Sequence, residues 1–226
     1  TYEDARLTDG TILDQSDRDR TQYEARLRTG YELKPGWVPF VEGIADTRVY
    51  DRRVNDAGFR RSSEGLGARA GSTFEITPLL TGEASAGYMT RDYEDERIRE
   101  LRGPIADGAL IWAPTPLTTV RLRGTTELGD TSVEESNGVQ VSRATFEVQH
   151  DLRRNISLIG SLTLSEADYQ GIRLREEGFE GSVKLDYRLT RSVALRASFT
   201  HERLKSTEPG SDYTANVYLV GLRFQP

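Results

Sequence analysis

The sequence contains no cysteine, one methionine, two histidines and no long apolar run. The missing cysteines rule out a disulfide framework and a thiolate metal site. The missing runs rule out helical membrane spans, which need roughly 20 consecutive apolar residues. A basic excess is lacking too. With a net charge of -6 over 226 residues, the chain lacks the cationic footprint of a nucleic-acid binder, and no nucleic-acid partner is expected. A hydrophobic fraction of 36% is low for a bundle of membrane helices. It does not exclude a barrel, in which only every second strand residue faces lipid.

What the chain does contain is alternation. Between Thr21 and Leu33, the side chains of Tyr23, Ala25, Leu27, Thr29, Tyr31 and Leu33 share one parity, whereas Gln22, Glu24, Arg26, Arg28, Gly30 and Glu32 share the other. A period of two places successive side chains on opposite faces of a strand. The apolar parity is thin and mixed with Gly, Ala and Thr, while the polar parity carries charge of both signs. This is the pattern of a transmembrane barrel with lipid outside and water inside. The same beat predicts strands near Val38–Tyr50, Ser62–Ile76, Leu80–Tyr93, Ile105–Trp112, Leu117–Gly129, Val141–Leu152, Ile156–Ala167, Glu177–Leu189, Ser192–Arg203 and Tyr213–Phe224. A weak opening strand at Tyr2–Leu7 brings the total to about twelve, in one all-β, antiparallel, up-and-down barrel domain over residues 1–226. That strand reads as joined part-way along, so an export signal and further sequence are expected before Thr1.

The connections alternate between short and long. Lys34–Trp37, Thr77–Leu79, Ala113–Pro116, Arg153–Asn155 and Thr190–Arg191 are tight and punctuated by Pro, Gly or Asn. Thr8–Asp19, Asp51–Arg60, Glu94–Gly103, Thr131–Gly138, Gln170–Arg175 and Leu204–Asp212 read as longer polar loops. Outer-membrane barrels have short periplasmic turns and longer outer loops, so both termini are expected on the periplasmic side of a bacterial outer membrane. Aromatics of the apolar parity fall into two groups, Tyr31, Phe74, Trp112 and Tyr187 towards the short turns and Tyr23, Tyr88 and Phe199 towards the long loops, as interfacial girdles would. The final strand alternates Tyr218, Val220, Leu222 and Phe224, which resembles the terminal signature read by the barrel assembly machinery during insertion.

The stretches Pro39–Gly43 with Tyr50-Asp51-Arg52-Arg53, Gly87-Tyr88 with Tyr93-Glu94-Asp95, and Trp112–Thr119, together with that terminal strand, resemble the "outer membrane beta-barrel protein" family of Gram-negative bacteria. The resemblance implies a porin-like barrel in the outer membrane, in contact with its lipid and lipopolysaccharide. It hands over no catalytic residues.

Nothing in the pattern demands chemistry, and no enzyme activity, cofactor or metal is expected. His150 and His201 fall on the outward parity. Ser165, Glu166 and Asp168 have no nearby histidine. Gly65–Gly71 superficially looks like a phosphate loop, but its spacing is wrong and no helix follows, so close packing or strand bending explains it better. Asp14, Asp17 and Asp19, and Glu134-Glu135, could hold Ca²⁺ or simply solvate their loops.

The functional surface is therefore sought on the polar parity. Its candidate pore-lining residues are Arg26, Arg28, Glu42, Asp46, Arg48, Arg69, Glu83, Arg91, Arg121, Arg123, Glu147, Lys184, Asp186 and Arg196. Two readings stay open. Either these charges line a narrow diffusion channel, or Arg–carboxylate pairs cross-link the lumen and the barrel acts as an anchor or platform through its loops. A homo-oligomer is compatible with either.

Overall fold

The computed structural model describes residues 5–6, 12–13, 19–54, 58–131, 133 and 136–224. Strands β1 (Ala5–Arg6) and β2 (Ile12–Leu13) pair as a small separate ribbon. The remaining strands form one antiparallel sheet. They are β3 (Arg20–Gly30), β4 (Trp37–Tyr50), β5 (Ser63–Thr77), β6 (Leu80–Tyr93), β7 (Leu101–Thr115), β8 (Thr118–Gly129), β9 (Gly138–Arg153), β10 (Ile156–Gln170), β11 (Leu174–Arg188), β12 (Val193–Ser206) and β13 (Tyr213–Phe224). The sheet is an 11-stranded meander in which each strand pairs only with its chain neighbours, and β3 and β13 are its two ends. Most of the opening segment expected as a further strand lies outside the described residues.

The ladders carry the alternation through every strand. Large apolar side chains on the outward parity stay exposed, among them Leu27, Val41, Leu66, Leu122, Leu162 and Leu222. The opposite parity of β4, from Phe40 to Arg48, is buried at every second residue. That is the reverse of a soluble sandwich, because the charged face is the covered one.

Turn chemistry shapes the short end. Pro35 and Gly36 occupy the central positions of a turn closed by Trp37 N–H donating to the Lys34 carbonyl at 2.9 Å. Gly36 adopts φ of 79°, which a proline-glycine type II turn requires. At the other end the loops are less uniform than expected. Only three residues separate Gln170 from Leu174, because β10 and β11 continue their ladder to the Tyr169–Leu174 pair. The alternation of long and short connections is therefore broken at that hairpin. Strand β7 also begins earlier than the Gly103-Pro104 pair suggested. Pro104 is flanked by β6 alone, since the β7–β8 ladder starts only at Ala106, and a missing N–H is tolerated on such an open side.

This early stop of the β7–β8 ladder has a larger consequence. Beyond Thr126 the β8–β9 hairpin tip is free of β7 and leans over the charged face. Leu128, whose ladder parity is outward, is buried with Ile44, Met89, Leu101 and Ile105, and Tyr93 packs against that cluster. Phe199 differs from its expected place as well. It sits mid-strand, with its ring centroid 4.8 Å from that of Tyr218, rather than near the long loops.

Candidate functional site: the charged inner face

Register places every candidate pore-lining residue on the inner face. Arg28, Glu42 and Arg69 are successive cross-strand partners, as are Arg121 with Glu147 and Asp186 with Arg196. Directly opposed residues on one face are close enough to pair, and these do. Arg28 Nε donates to Glu42 Oε2 at 2.6 Å and its Nη1 to Glu83 Oε1 at 2.9 Å. Arg69 Nη2 lies 2.7 Å from Glu42 Oε1. The Arg28 guanidinium also stacks 3.9 Å from the Phe40 ring centroid. Arg121 with Glu147 and Arg196 with Asp186 each close at 2.7 Å, in more exposed surroundings. Arg26 pairs along its own strand with Glu24.

A denser cluster lies at the loop end. Arg91 Nη2 donates to both Asp46 oxygens at 2.7 Å, and its Nη1 donates to Ser63 Oγ at 3.1 Å. Strand β5 lies between these partners, and it presents Gly65 there. A Cβ at Gly65 would stand 2.0 Å from Asp46 Oδ1, so only glycine lets the two side chains meet over the strand. The glycine-rich stretch of β5 is thus a bed for neighbouring lumen side chains. Arg48 Nε lies 3.5 Å from Asp46, and its Nη1 lies 2.8 Å from Asp130 Oδ1. Arg20 Nη1 donates to Asp130 Oδ2 at 2.5 Å, and Tyr50 Oη donates to the same oxygen at 3.0 Å. Three guanidiniums therefore surround two carboxylates; those of Arg91 and Arg20 make charge-assisted hydrogen bonds, which are the stronger ones, and Arg48 acts through its charge alone. Burial alone would raise the Asp130 carboxyl. The guanidiniums of Arg48, Arg20 and Arg91 outweigh it and hold the group below its ordinary value.

Asp130 follows the last residue of β8, so this cluster ties the folded-in hairpin tip to β3, β4 and β6. Arg61 reinforces the tie by donating to the Thr131 carbonyl. Sequence parity does not find Asp130, because it lies in a loop. The only signal available was an acidic residue directly after a strand. Arg20, Tyr50 and Tyr93, which face it, lie at strand ends.

The two halves of the inner face differ. Glu42, Asp46, Arg48 and Arg91, on β4 and β6, are buried and paired. On β8, β9 and β11, Arg123, Arg143 and Lys184 are exposed. Among the described residues these three have no ion pair.

No hydrolytic constellation is assembled. Ser165 points inward, whereas Glu166 and Asp168 point outward. His150 and His201, both outward, bond across the ladder to Thr118 Oγ1 at 2.9 Å and Asn216 Oδ1 at 2.8 Å. Among the described residues, no group of three or more His, Cys, Asp or Glu is placed to hold a metal ion. Asp14, Asp17, Glu134 and Glu135 lie outside the described residues.

Two solved structures are similar to this chain. The NanC porin shares 18% identity, with 92% of this chain and 96% of that chain covered and a TM-score of 0.43. A Pseudomonas aeruginosa FadL homologue shares 8% identity, with 88% and 70% covered and a TM-score of 0.39. No curated protein matches the sequence. A family profile, in contrast, matches residues 1–226 from end to end. With its meander of amphipathic strands and its charged inner face, the chain belongs to the β-barrel family described as "Putative beta-barrel porin 2".

Proposed function

We propose that the protein is a narrow channel for passive diffusion of small polar solutes or ions across the bacterial outer membrane. The supporting observation is the exposed, unpaired state of Arg123, Arg143 and Lys184 on the inner face. A charge without a counterion must be hydrated, because burying it bare is prohibitively costly. An inner wall that carries such charges needs water beside it. The paired wall around Glu42 and Asp46, with the hairpin tip held over it by Asp130, narrows that water-filled space to one side. Wall-lining roles go to the paired residues Arg26, Arg28, Glu42, Asp46, Arg48, Arg69, Glu83 and Arg91 on one side and Arg121, Glu147, Asp186 and Arg196 on the other. Arg123 and Lys184, with Glu127 and Glu180, are the exposed charges that solutes meet.

A second reading rests on the same tip. If the network around Asp130 holds the mouth shut, the barrel is a closed anchor or platform. Liposome swelling separates the two. Channel function gives swelling with small sugars that declines with solute size, and a closed barrel gives swelling no faster than protein-free vesicles. In either case the terminal strand, with Tyr218, Val220, Leu222 and Phe224 exposed, is the surface we assign to the assembly machinery. The outward band of the other strands would meet lipid, and above it lipopolysaccharide.

A further inference from the structure

The outward face of the sheet carries a groove of about 890 Å³ across β7 to β12, separate from the charged inner face. Its axis is a single register row of Gly108, Gly124, Ala144, Leu164, Phe179 and Arg203. The row begins mid-way along β7, where glycines and alanine leave a depression, and passes Leu164 and Phe179 as an apolar wall. It ends close to the loop end of β12, at Arg203, with Lys205 in the adjoining row. The groove thus runs from an apolar depression to an end at the level of the long loops that carries Arg203 and Lys205.

Two carboxylates, Glu166 and Glu177, line the same end, and Glu177 stands directly across the ladder from Lys205. Glu166 is taken by Arg175 at 2.7 Å, and Glu177 lies 3.8 Å from the same arginine. Arg203 and Lys205 are exposed and have neither ion pair nor side-chain hydrogen bond among the described residues. His201, at the same end, is engaged by Asn216. Exposed cations at the level of the headgroups attract anionic lipid, each basic residue contributing about 1 kcal/mol. The volume falls in the range of ligand-sized sites; one row of its lining is small and apolar up to Phe179, the adjoining row is polar, and Arg203 and Lys205 stand at the loop end with Glu166 and Glu177.

We infer that this groove binds a phosphorylated acyl lipid of the outer leaflet, the lipid A portion of lipopolysaccharide. One acyl chain lies over Gly108, Gly124 and Ala144 against Leu164 and Phe179, and a phosphate meets Arg203 and Lys205. The inference rests on the outer-membrane reading with the long loops outside. It does not depend on whether the lumen conducts.

The test is native mass spectrometry of the refolded full chain with bis-phosphorylated lipid A, its dephosphorylated form, phosphatidylethanolamine and inorganic phosphate as separate probes. Phosphorylated lipid A is expected to be retained about tenfold more than the dephosphorylated form, and R203E/K205E to abolish the difference. G108L and G124L should weaken retention of both lipid A forms by filling the depression. Neither should disturb the backbone, since a Cβ at these sites meets its nearest atom at 3.9 and 4.0 Å. Heat-modifiable mobility and channel conductance of each variant report folding and the lumen separately. Equal retention of all lipids, indifference to R203E/K205E in a folded variant, or competition by inorganic phosphate alone would overturn the inference. None of these results bears on the channel.

Discussion

Single residues on the inner face carry unequal weight, and burial decides which. The side chains of Arg91 and Asp46 are 0% and 2% exposed, so removing one partner strands the other as a bare buried charge. D46A is expected to destabilise the protein by about 3–5 kcal/mol in a guanidinium titration. R196A, whose pair with Asp186 is half-exposed, should cost less than about 1 kcal/mol. Asp95, in the loop after β6, shows a different control. The Arg97 side chain and the Arg60 and Arg97 backbone N–H groups all donate to it and hold its carboxyl well below the usual aspartate range. A carboxyl whose folded pKa is depressed contributes stability that is complete above the unfolded value of about 3.9 and lost as pH falls through the folded one. Hydrogen exchange at the Arg60 and Arg97 amides should therefore be equally protected from pH 8 to 5, after correction for intrinsic rates, and lose that protection only well below about pH 4. The charged parity of these residues was legible in the sequence, since a period of two needs no knowledge of neighbours. Their pairing was not, because Arg91 reaches Asp46 only over Gly65, and that depends on register.

At the scale of elements, strand existence followed from local alternation, while strand ends followed from tertiary pairing. Leu80–Tyr93 and Tyr213–Phe224 carry the same limits in sequence and structure, because turn residues flank them. Strand β7 does not, because Gly103-Pro104 reads as a breaker until the open side beside it is known. Leu128 breaks its own parity, because the hairpin tip bends after leaving β7. That tip is the element most sensitive to a single change. D130A should free it and speed proteolytic nicking within residues 130–137 severalfold, leaving the strands intact. The two faces of β8 should also respond differently to charge. L122R places a guanidinium on the lipid face and is expected to cost about 2–4 kcal/mol. T125R, on the inner face beside Asp107, should change stability by no more than about 0.5 kcal/mol.

At the scale of the whole molecule, an asymmetric lumen follows from these parts. One wall is neutralised by pairs and capped by the hairpin tip, and the other keeps Arg123, Arg143 and Lys184 in water. In the proposed channel, permeating ions meet charges of both signs on the open wall, where Glu127 and Glu180 are exposed beside these cations, and R123E/R143E/K184E should shift selectivity towards cations without altering the fold. Composition and alternation made the barrel legible. The asymmetry was not, because it arises where β8 parts from β7 and Asp130 crosses to Arg20 and Arg48. Single-channel conductance of the refolded chain in a planar bilayer tests the central claim most directly. Stable steps of uniform size, larger in D130A, are the expected result. A silent bilayer, with insertion of both proteins verified, would contradict the water-filled channel and leave the closed barrel in its place.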